Sequence, residues 1–211
     1  MIITVFGATG MVGSVVVEQA LAKNYTVKAF GRNIEKLLDS SNNQLISIKG
    51  YVFDEDEVYN AIKGSDAVIS ALGGAFDGSD KTRSLGVKNI IKQMQQANVK
   101  RFVVVGSSST LNANDEFLQV DMPDYPAMYL PVGLEHKKAY EYLKESTLEW
   151  TIVCPPQIIK QTGNGKYVTN ANYPPQPDFH KIFTGNLAAF LLKELTEKKY
   201  VCQRVGISNV Y

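Results

Sequence analysis

The chain has 211 residues, enough for one large domain whose core needs neither disulfides nor metals. Its 22 Lys and Arg residues almost balance its 21 Asp and Glu residues, so charge gives no reason to expect nucleic acid or an anionic membrane as a partner, and small molecules are the expected ligands. No signal peptide or membrane span is recognisable, and the two cysteines, Cys154 and Cys202, lack a redox or metal-binding spacing, so a cytoplasmic location is expected.

Short β-branched segments alternate with longer amphipathic segments along the chain, which is typical of a parallel sheet covered on both faces. Strands are predicted at about residues 2–6, 26–30, 44–49, 66–71, 101–106 and 149–154, with a last strand at 200–206. Helices are predicted at about 11–22, 34–40, 55–63, 80–97, 132–146 and 184–197. The pattern predicts an α/β fold, a doubly wound parallel sheet flanked by helices in three layers (α/β/α).

Two irregular stretches, residues 112–131 and 161–180, follow the fifth and sixth predicted strands. The first is rich in acids, prolines and aromatics, and its length predicts a functional loop or lid rather than a plain connection. The carboxyl ends of parallel strands meet at one edge of a sheet, where open α/β folds bind ligands. Both loops are therefore expected to flank one crevice at that edge.

Three glycines, Gly7, Gly10 and Gly13, form the pattern G-x-x-G-x-x-G between the first predicted strand and the first predicted helix. Gly7 can form a tight turn, Gly10 lets the backbone approach a pyrophosphate, and Gly13 allows close packing of helix and strand. The helix N-terminus would offer unpaired N–H groups to the phosphates. The context predicts a dinucleotide-binding turn, and the alternative is a plain glycine-rich turn in a protein that binds something else.

The second predicted strand ends in the sequence "AFGRN", where an acid usually binds the ribose hydroxyls of NAD. Arg32 offers a permanently charged, planar guanidinium that suits a 2′-phosphate, and no carboxylate stands at that strand end to repel one. NADPH is therefore the predicted cofactor, with NAD(H) as the second choice. Ser14 or Asn33 could assist, and the alternative is an exposed loop arginine without a ligand.

The segments "GATGMVG", "GRN", "DAVISALG", "VKRFVVVGSSS" and "HKKAYEYLKESTLEWTIVCPP" together resemble the atypical short-chain dehydrogenase/reductase family, whose members have NAD(P)H-binding Rossmann domains. Within that family the chain is most similar to the flavin reductase/biliverdin-IXβ reductase branch. It is more distantly similar to redox sensors of the nitrogen-metabolite-repression type. The resemblance covers nearly the whole chain and implies one Rossmann domain over residues 1–211, with a small substrate-side region at about 155–185.

The resemblance also implies a cofactor site along the strand ends. The pyrophosphate would lie on the glycine-rich turn, the 2′-phosphate on the arginine, the ribose against the segment after the fourth strand, and the nicotinamide against the ends of the fifth and sixth strands. The implied residues are Gly7, Thr9, Gly10, Met11, Val12, Gly13, Arg32, Ala71, Leu72, Gly73, Ser107, Cys154, Pro155 and Pro156. Relatives commonly carry Gly-Asp after the third strand, whereas Gly50-Tyr51 stands here, so Tyr51 could stack on the adenine instead.

A tyrosine with a lysine four residues later is a common proton-donating pair, because the lysine lowers the pKa of the phenol. Tyr140 and Lys144 have this spacing, but they lie at the far end of their predicted helix, away from the crevice. By resemblance the matching lysine is Lys137, and Gly133 stands where the tyrosine would be. Since a flavin or linear tetrapyrrole can take its proton from water, the missing phenol favours a planar conjugated acceptor.

Four residues are candidates for the catalytic role: Ser108, Tyr129, His136 and Lys137. Ser108 and Tyr129 could donate a hydrogen bond to a developing anion, whereas His136 or Lys137 could supply positive charge. The alternative for His136 is a surface histidine paired with Glu135 or Glu141.

Other motifs are weaker. The branch often has a histidine after the Pro-Pro pair, where this chain has Gln157. His136 and His180 are the only histidines, and no metal-ligand spacing surrounds them. The segment Gly163–Lys166 lacks the Ser or Thr of a phosphate loop and is predicted to be a turn.

Three functions remain open from the sequence. The first is an NADPH-dependent reductase of a flavin or another planar acceptor, acting as a monomer or homodimer. The second is a non-catalytic NADP(H)-binding redox sensor. The third is an NAD-dependent epimerase or dehydratase, which the short chain disfavours because such enzymes usually carry a C-terminal substrate domain.

Overall fold

A computed structural model describes residues 1–34 and 42–210. The strands are β1 Ile2–Phe6, β2 Thr26–Gly31, β3 Leu45–Lys49, β4 Ala67–Ser70, β5 Arg101–Val105, β6 Glu149–Cys154, β7 Gln157–Ile159, β8 Tyr167–Ala171, β9 Lys181–Phe183 and β10 Gln203–Asn209. The α-helices are α1 Gly13–Ala22, α2 Glu55–Ile62, α3 Val87–Gln96, α4 Leu130–Glu145 and α5 Thr184–Glu197. The helix predicted at 34–40 falls almost entirely outside the described residues.

Eight of these strands form one sheet in the order β3-β2-β1-β4-β5-β6-β10-β8. All neighbouring pairs are parallel except β8 with β10, which is antiparallel. From β1 the chain builds outward through β2 to β3, and it then crosses to β4 on the other side of β1. The point between β1 and β4 is thus the topological switch point at which such sheets bind ligands.

The side chains of the sheet alternate between two hydrophobic clusters, one on each face. Val5 and Val103 lie in a buried cluster with residues of α1 and α5. Their chain neighbours Phe6 and Phe102 lie in a second buried cluster with residues of α2, α3 and α4. Helices therefore cover both faces, and the predicted three-layer α/β/α class is confirmed.

Three boundaries differ from the prediction in ways that matter for the crevice. The helix predicted from about residue 80 begins at Val87, after a π-helical turn over Thr82–Gly86, which leaves a long loop after β4. Helix α4 begins at Leu130 with Pro131 in its first turn, a position that needs no backbone N–H. The last strand begins at Gln203, three residues later than predicted.

The stretch 161–180, predicted as irregular, contains β8, which completes the far edge of the sheet against β10. A short two-stranded pair, β7 with β9, was also missed. These strands have three to five residues each, too few for a clear alternation of apolar and polar positions. Within residues 1–34 and 42–210, no helix is long and apolar enough to cross a membrane.

Candidate functional site

The glycine-rich turn at the end of β1 is fixed by close backbone contacts. Gly7 has a φ of +74°, in the left-handed region that favours glycine. A Cβ atom on Gly7 would lie 2.5 Å from the carbonyl oxygen of Ala71, and one on Gly13 would lie 2.1 Å from the carbonyl oxygen of Gly7. The Gly10 amide donates to that same Gly7 oxygen at 2.9 Å. Glycine is therefore required at positions 7 and 13 by geometry alone.

The N-terminus of α1 faces out of this turn without a capping side chain. Its N-cap residue, Val12, makes no side-chain capping hydrogen bond, and the first turn of the helix contains no acidic residue. Gly10 and Met11 are exposed. Since unpaired N–H groups and the helix dipole both favour an anion at such an end, this part of the site suits a pyrophosphate.

Arg32 lies directly after the end of β2, the neighbouring strand of the sheet. It is exposed and directly follows Gly31, whose Cβ position would be 3.6 Å from the Thr9 hydroxyl oxygen. Hydrogen bonds from Thr82, and to a smaller degree the charge of Arg32, lower the pKa of the Asp80 carboxyl. Arg32 thus places positive charge at this edge, within electrostatic reach of an acid on the loop after β4.

The residues after β3 form the next part of the edge. A Cβ atom on Gly50 would lie 2.4 Å from the ring of Phe30, so glycine is required there too. The Tyr51 ring is half exposed and meets the Phe53 ring edge-on, with 5.0 Å between centroids. The Tyr51 amide donates to the Glu57 carboxylate at 2.6 Å. An acid from α2 therefore lies close to the backbone that follows β3.

On the other side of β1, the ends of β4, β5 and β6 are joined by backbone hydrogen bonds. The Ala71 amide donates to the Phe6 carbonyl at 2.9 Å, and the Ser108 amide donates to the Pro155 carbonyl at 3.1 Å. The Ser107 hydroxyl accepts from the Ser109 amide at 3.2 Å and caps a short 3₁₀ turn. These contacts bring the expected ribose and nicotinamide segments to one edge.

Cys154 is an exception among the expected cofactor contacts. Its side chain is fully buried, its sulfur lies 3.4 Å from the Thr110 hydroxyl, and burial raises the pKa of the thiol to about 11. Strand alternation places it on the same face as Trp150 and Ile152, in the core under α4. The thiol therefore points into the core, so that only the backbone of Cys154 is left for the expected cofactor contact, which stays a prediction, and Pro155 and Pro156 follow at the strand end.

His136 lies where burial disfavours a positive charge. It lines an internal cavity of about 10 Å³ together with Ser70 and Arg83, the volume of about one water. Burial, with the nearby charge of Arg83, lowers the pKa of His136 to about 3, so the imidazole is neutral at pH 7. The alternative pairing with Glu135 is also wrong, because Glu135 forms an ion pair with Lys81 at 2.8 Å and accepts a hydrogen bond from Ser84.

Lys137, the other candidate for positive charge, forms an ion pair with the long loop that follows β5. Its Nζ lies 2.6 Å from the Asp121 Oδ1, in a partly exposed ion pair. That carboxylate offsets much of the lysine charge before any ligand arrives. The role expected for Lys137 at a reacting anion stays a prediction.

Three exposed apolar side chains lie on the loops that follow β4 and β5, and they are called the apolar rim. Its members are Phe76, Met128 and Tyr129, with exposed fractions of 66%, 73% and 47%. The loop after β4 touches the first turn of α4, because a Cβ atom on Gly78 would lie 2.9 Å from the Pro131 Cβ. Sequence reasoning found Tyr129 but missed Phe76 and Met128, which lie in loop segments without apolar periodicity.

Arg83, also missed, holds the loop after β4 in place. Its guanidinium donates to the carbonyl oxygens of Gly74 and Ala75 at 2.8 and 2.9 Å and lies 5.5 Å from the centre of the Phe76 ring. Burial lowers the pKa of Arg83. This buried arginine therefore fixes the backbone from which Phe76 projects.

The two long loops contact each other, as their common origin at one sheet edge predicts. The Asn112 amide donates to the Asn172 carbonyl at 2.8 Å, and the Tyr173 hydroxyl donates to the Asp115 carboxylate at 2.5 Å. The segment Gly163–Lys166 forms a turn over Asn186, whose side-chain oxygen accepts from the Gly165 amide at 3.0 Å. Gly163 permits close packing of this turn on α5, because a Cβ atom there would lie 2.6 Å from the Asn186 side-chain oxygen.

The switch-point turn, the open end of α1 and the exposed arginine together define a Rossmann-type dinucleotide-binding protein. The family described as NAD(P)H-binding matches residues 7–198, and the chain belongs to this oxidoreductase-like family. The resemblance inferred from the motifs is thus confirmed at the level of the NAD(P)H-binding Rossmann family. In the part of the chain that the structure describes, no group of three or more His, Cys, Asp or Glu side chains could hold a metal ion.

Individual relatives agree with this family. The chain is 25% identical over 167 residues to the uncharacterised protein YwnB of Bacillus subtilis, covering 76% of this chain and 74% of that protein. A candidate epimerase of Bacteroides thetaiotaomicron has 27% identity and a TM-score of 0.86 over 100% of this chain and 97% of that one. A candidate NADH-flavin reductase of Streptococcus pneumoniae has 22% identity and a TM-score of 0.84 over the full length of both chains, which shows a shared fold.

Proposed function

We propose that the protein is a reductase that prefers NADPH and transfers hydride to a flavin or another planar conjugated acceptor. The observation that carries the proposal is the meeting of two features at one sheet edge. An anion-binding turn with Arg32 beside it lies on one side of the switch point, and the apolar rim of Phe76, Met128 and Tyr129 lies on the other. A flat apolar acceptor and a charged cofactor need surfaces of these two kinds.

The cofactor would supply the hydride, and the residues of this chain bind, orient and stabilise. The turn at Gly7 and the N-terminus of α1 would hold the pyrophosphate, and Arg32 the 2′-phosphate. The hydroxyl groups of Ser108 and Tyr129 would donate hydrogen bonds to the anion that forms on the acceptor. Orientation of the two reactants supplies most of the rate in this scheme, because no residue is assigned as the proton source.

The absence of a phenol at position 133 supports this choice of acceptor. A Cβ atom on Gly133 would lie 2.9 Å from Val120 and 3.1 Å from the Tyr125 hydroxyl, so the site has no room for a larger side chain. A simple ketone needs a proton donor at its oxygen, whereas an extended conjugated system spreads the charge and can be protonated by water. The flavin-reductase description of the Streptococcus pneumoniae protein with the same fold is compatible with such an acceptor.

We propose further that residues 1–211 act as a single domain, with the region at about 155–185 on the acceptor side. This region holds β7, β8 and β9. It reaches the long loop after β5 through the contacts of Asn172 and Tyr173. The acceptor would lie between these two loops.

The function is tested by titrating the purified protein with NADPH and with NADH, then adding flavin mononucleotide and following the absorbance of the reduced nicotinamide. Tighter binding of NADPH and flavin-dependent oxidation are expected. If saturating NADPH reduces no flavin, quinone or tetrapyrrole above the blank, the acceptor class is wrong. Equal affinity for oxidised and reduced cofactor without turnover would favour the redox-sensor alternative.

One observation favours a second candidate. The relative from Bacteroides thetaiotaomicron, at 27% identity over nearly both full lengths, is described as a candidate epimerase. The same purified protein should therefore be incubated with nucleotide sugars and NAD. Conversion of any of them would replace the reductase proposal with an epimerase or dehydratase activity.

A further inference from the structure

Helix α4 presents two positions, 133 and 137, to the long loop that precedes it. They are four residues apart and therefore lie on one face of the helix. At position 137, the lysine Nζ lies 2.6 Å from the Asp121 Oδ1 of the loop. At position 133, the missing side chain leaves a notch whose Cβ position is 3.1 Å from the Tyr125 hydroxyl and 2.9 Å from the Val120 methyl group.

These contacts fit a docking role better than a chemical one. Gly133 is buried, and the loop residue Val120 is 4% exposed against it. Any side chain on Gly133 would push against both loop residues, so glycine permits the close approach. The Lys137 ammonium is already paired, with 30% of the lysine side chain and 26% of the aspartate side chain exposed. One helix face thus holds the loop by a steric notch and an ion pair.

The docked loop ends in a short strap that carries part of the apolar rim. Only three residues separate Tyr125, in the notch, from Tyr129, directly before α4. The strap forms a 3₁₀ turn over Ala127–Tyr129, and the Tyr129 amide donates to the Pro126 carbonyl at 2.9 Å. Because both ends of the strap are held, the positions of the exposed Met128 and Tyr129 depend on how Tyr125 is docked.

We propose that Gly133 and Lys137 are positioning residues that dock the loop of residues 112–129 on α4 and thereby set the acceptor-facing positions of Met128 and Tyr129. The two helix positions that the family resemblance assigns to a proton-donating pair would here hold a wall of the acceptor site instead. The consequence for catalysis rests on the proposed function. The docking itself is measurable without any turnover.

The first test is hydrogen exchange of the amides of residues 112–129 in the full chain. Lys137→Met removes the ion pair, and exchange in this segment should become about two- to fivefold faster. Lys138→Met, at the exposed neighbouring position, should leave it unchanged. Lys137→Arg, and the charge reversal Lys137→Asp with Asp121→Lys, should restore slow exchange. If Lys137→Met exchanges like the unchanged protein, the ion pair does not dock the loop.

The second test addresses the notch. Gly133→Ala places a methyl group 2.9 Å from Val120, so the loop must shift and its exchange should again become faster. Tyr125→Phe keeps the ring and removes the hydroxyl, so a smaller increase is expected. Thermal unfolding of each variant separates local opening of the loop from loss of the whole fold. Unchanged exchange in Gly133→Ala overturns the notch as a docking element.

Once an acceptor has been identified, kcat and KM of the same variants provide a third test. Lys137→Met and Gly133→Ala should raise the KM for the acceptor several-fold and leave the dissociation constant for NADPH unchanged, and Lys137→Arg should recover the original KM. A lower kcat with an unchanged KM would place Lys137 at the reacting atoms and overturn the positioning role. If no acceptor is turned over, the proposed function fails while the exchange results still decide the docking.

Discussion

The two sides of the crevice are built by different means. On the cofactor side, at the ends of β1 and β2, the shape comes from backbone: glycines that tolerate no Cβ atom and a helix end without a cap. On the proposed acceptor side, after β4 and β5, it comes from exposed side chains such as Phe76 and Met128, with the Arg83 guanidinium 5.5 Å from the centre of the Phe76 ring. A substitution at a glycine of the backbone-made side therefore disrupts the turn itself, whereas a substitution on the side-chain-made side changes one contact and leaves the backbone in place.

The largest effect is expected for Gly13→Ala, on the backbone-made side. The added methyl group would lie 2.1 Å from the Gly7 carbonyl oxygen, a backbone atom that cannot move without opening the turn. Unfolding by urea should show a loss of about 3 kcal/mol or more, and NADPH binding should disappear. Gly73→Ala is the matched control for the urea unfolding alone, since its Cβ atom would meet nothing within 4 Å. An unchanged urea midpoint for Gly13→Ala would show that this turn tolerates a Cβ atom and would contradict its description as a backbone-made site.

The next largest effect is expected for Arg32→Ala, the one charged side chain that this side contributes in the proposal. Removing a charge-assisted contact costs about 1.5–3 kcal/mol, so NADPH should bind about 10- to 100-fold more weakly while NADH changes little. Fluorescence titrations with both cofactors measure this, and Lys23→Ala, on an exposed residue after α1, is the control. Equal weakening of both cofactors would make Arg32 a structural residue.

On the side-chain-made side, Tyr129→Phe should lower kcat without abolishing activity. The ring remains in the rim, and only the hydrogen bond to the developing anion is lost, so kcat with flavin should fall about tenfold. The dissociation constant for NADPH should stay the same, because the rim does not hold the cofactor in the proposed arrangement. Tyr51→Phe, on a half-exposed ring after β3, serves as the control. An unchanged kcat would leave Tyr129 as a wall residue without a role in the chemistry.

The sequence predicted the backbone-made side well, because its signals are local. The spacing of Gly7, Gly10 and Gly13, the strand before them and the helix after them lie within one short segment, and no distant contact is needed to interpret them. The order of the larger elements followed from apolar periodicity for the same reason. The inward orientation of the Cys154 side chain was also available from strand alternation with Ile152, whereas the cofactor contact expected there was carried over by resemblance.

The side-chain-made side could not be predicted to the same extent, because its structure depends on partners far apart in the chain. Strand β8 is fixed by pairing with β10, more than thirty residues later, and its own five residues carry no strong pattern. The approach of Tyr125 to Gly133 needs the folded loop, and the lowered pKa of His136 depends on burial in the folded chain and, to a smaller degree, on Arg83 from the π-helical turn. The sequence of one loop does not predict such contacts, because their partners lie elsewhere in the chain.

The smallest expected effect is a pH dependence of the free energy of unfolding that is caused by His136. In the folded protein the imidazole stays neutral down to a pKa of about 3, whereas the unfolded chain binds a proton near pH 6.5. Stability is therefore lost as pH falls below 6.5, and between pH 6.5 and 5.5 the loss should be about 1 kcal/mol. Urea unfolding at both pH values should show this loss in the unchanged protein and in His180→Leu, whose histidine side chain is 83% exposed, but not in His136→Leu. An equal loss in His136→Leu would mean that other groups cause the dependence and that His136 is not held neutral by burial.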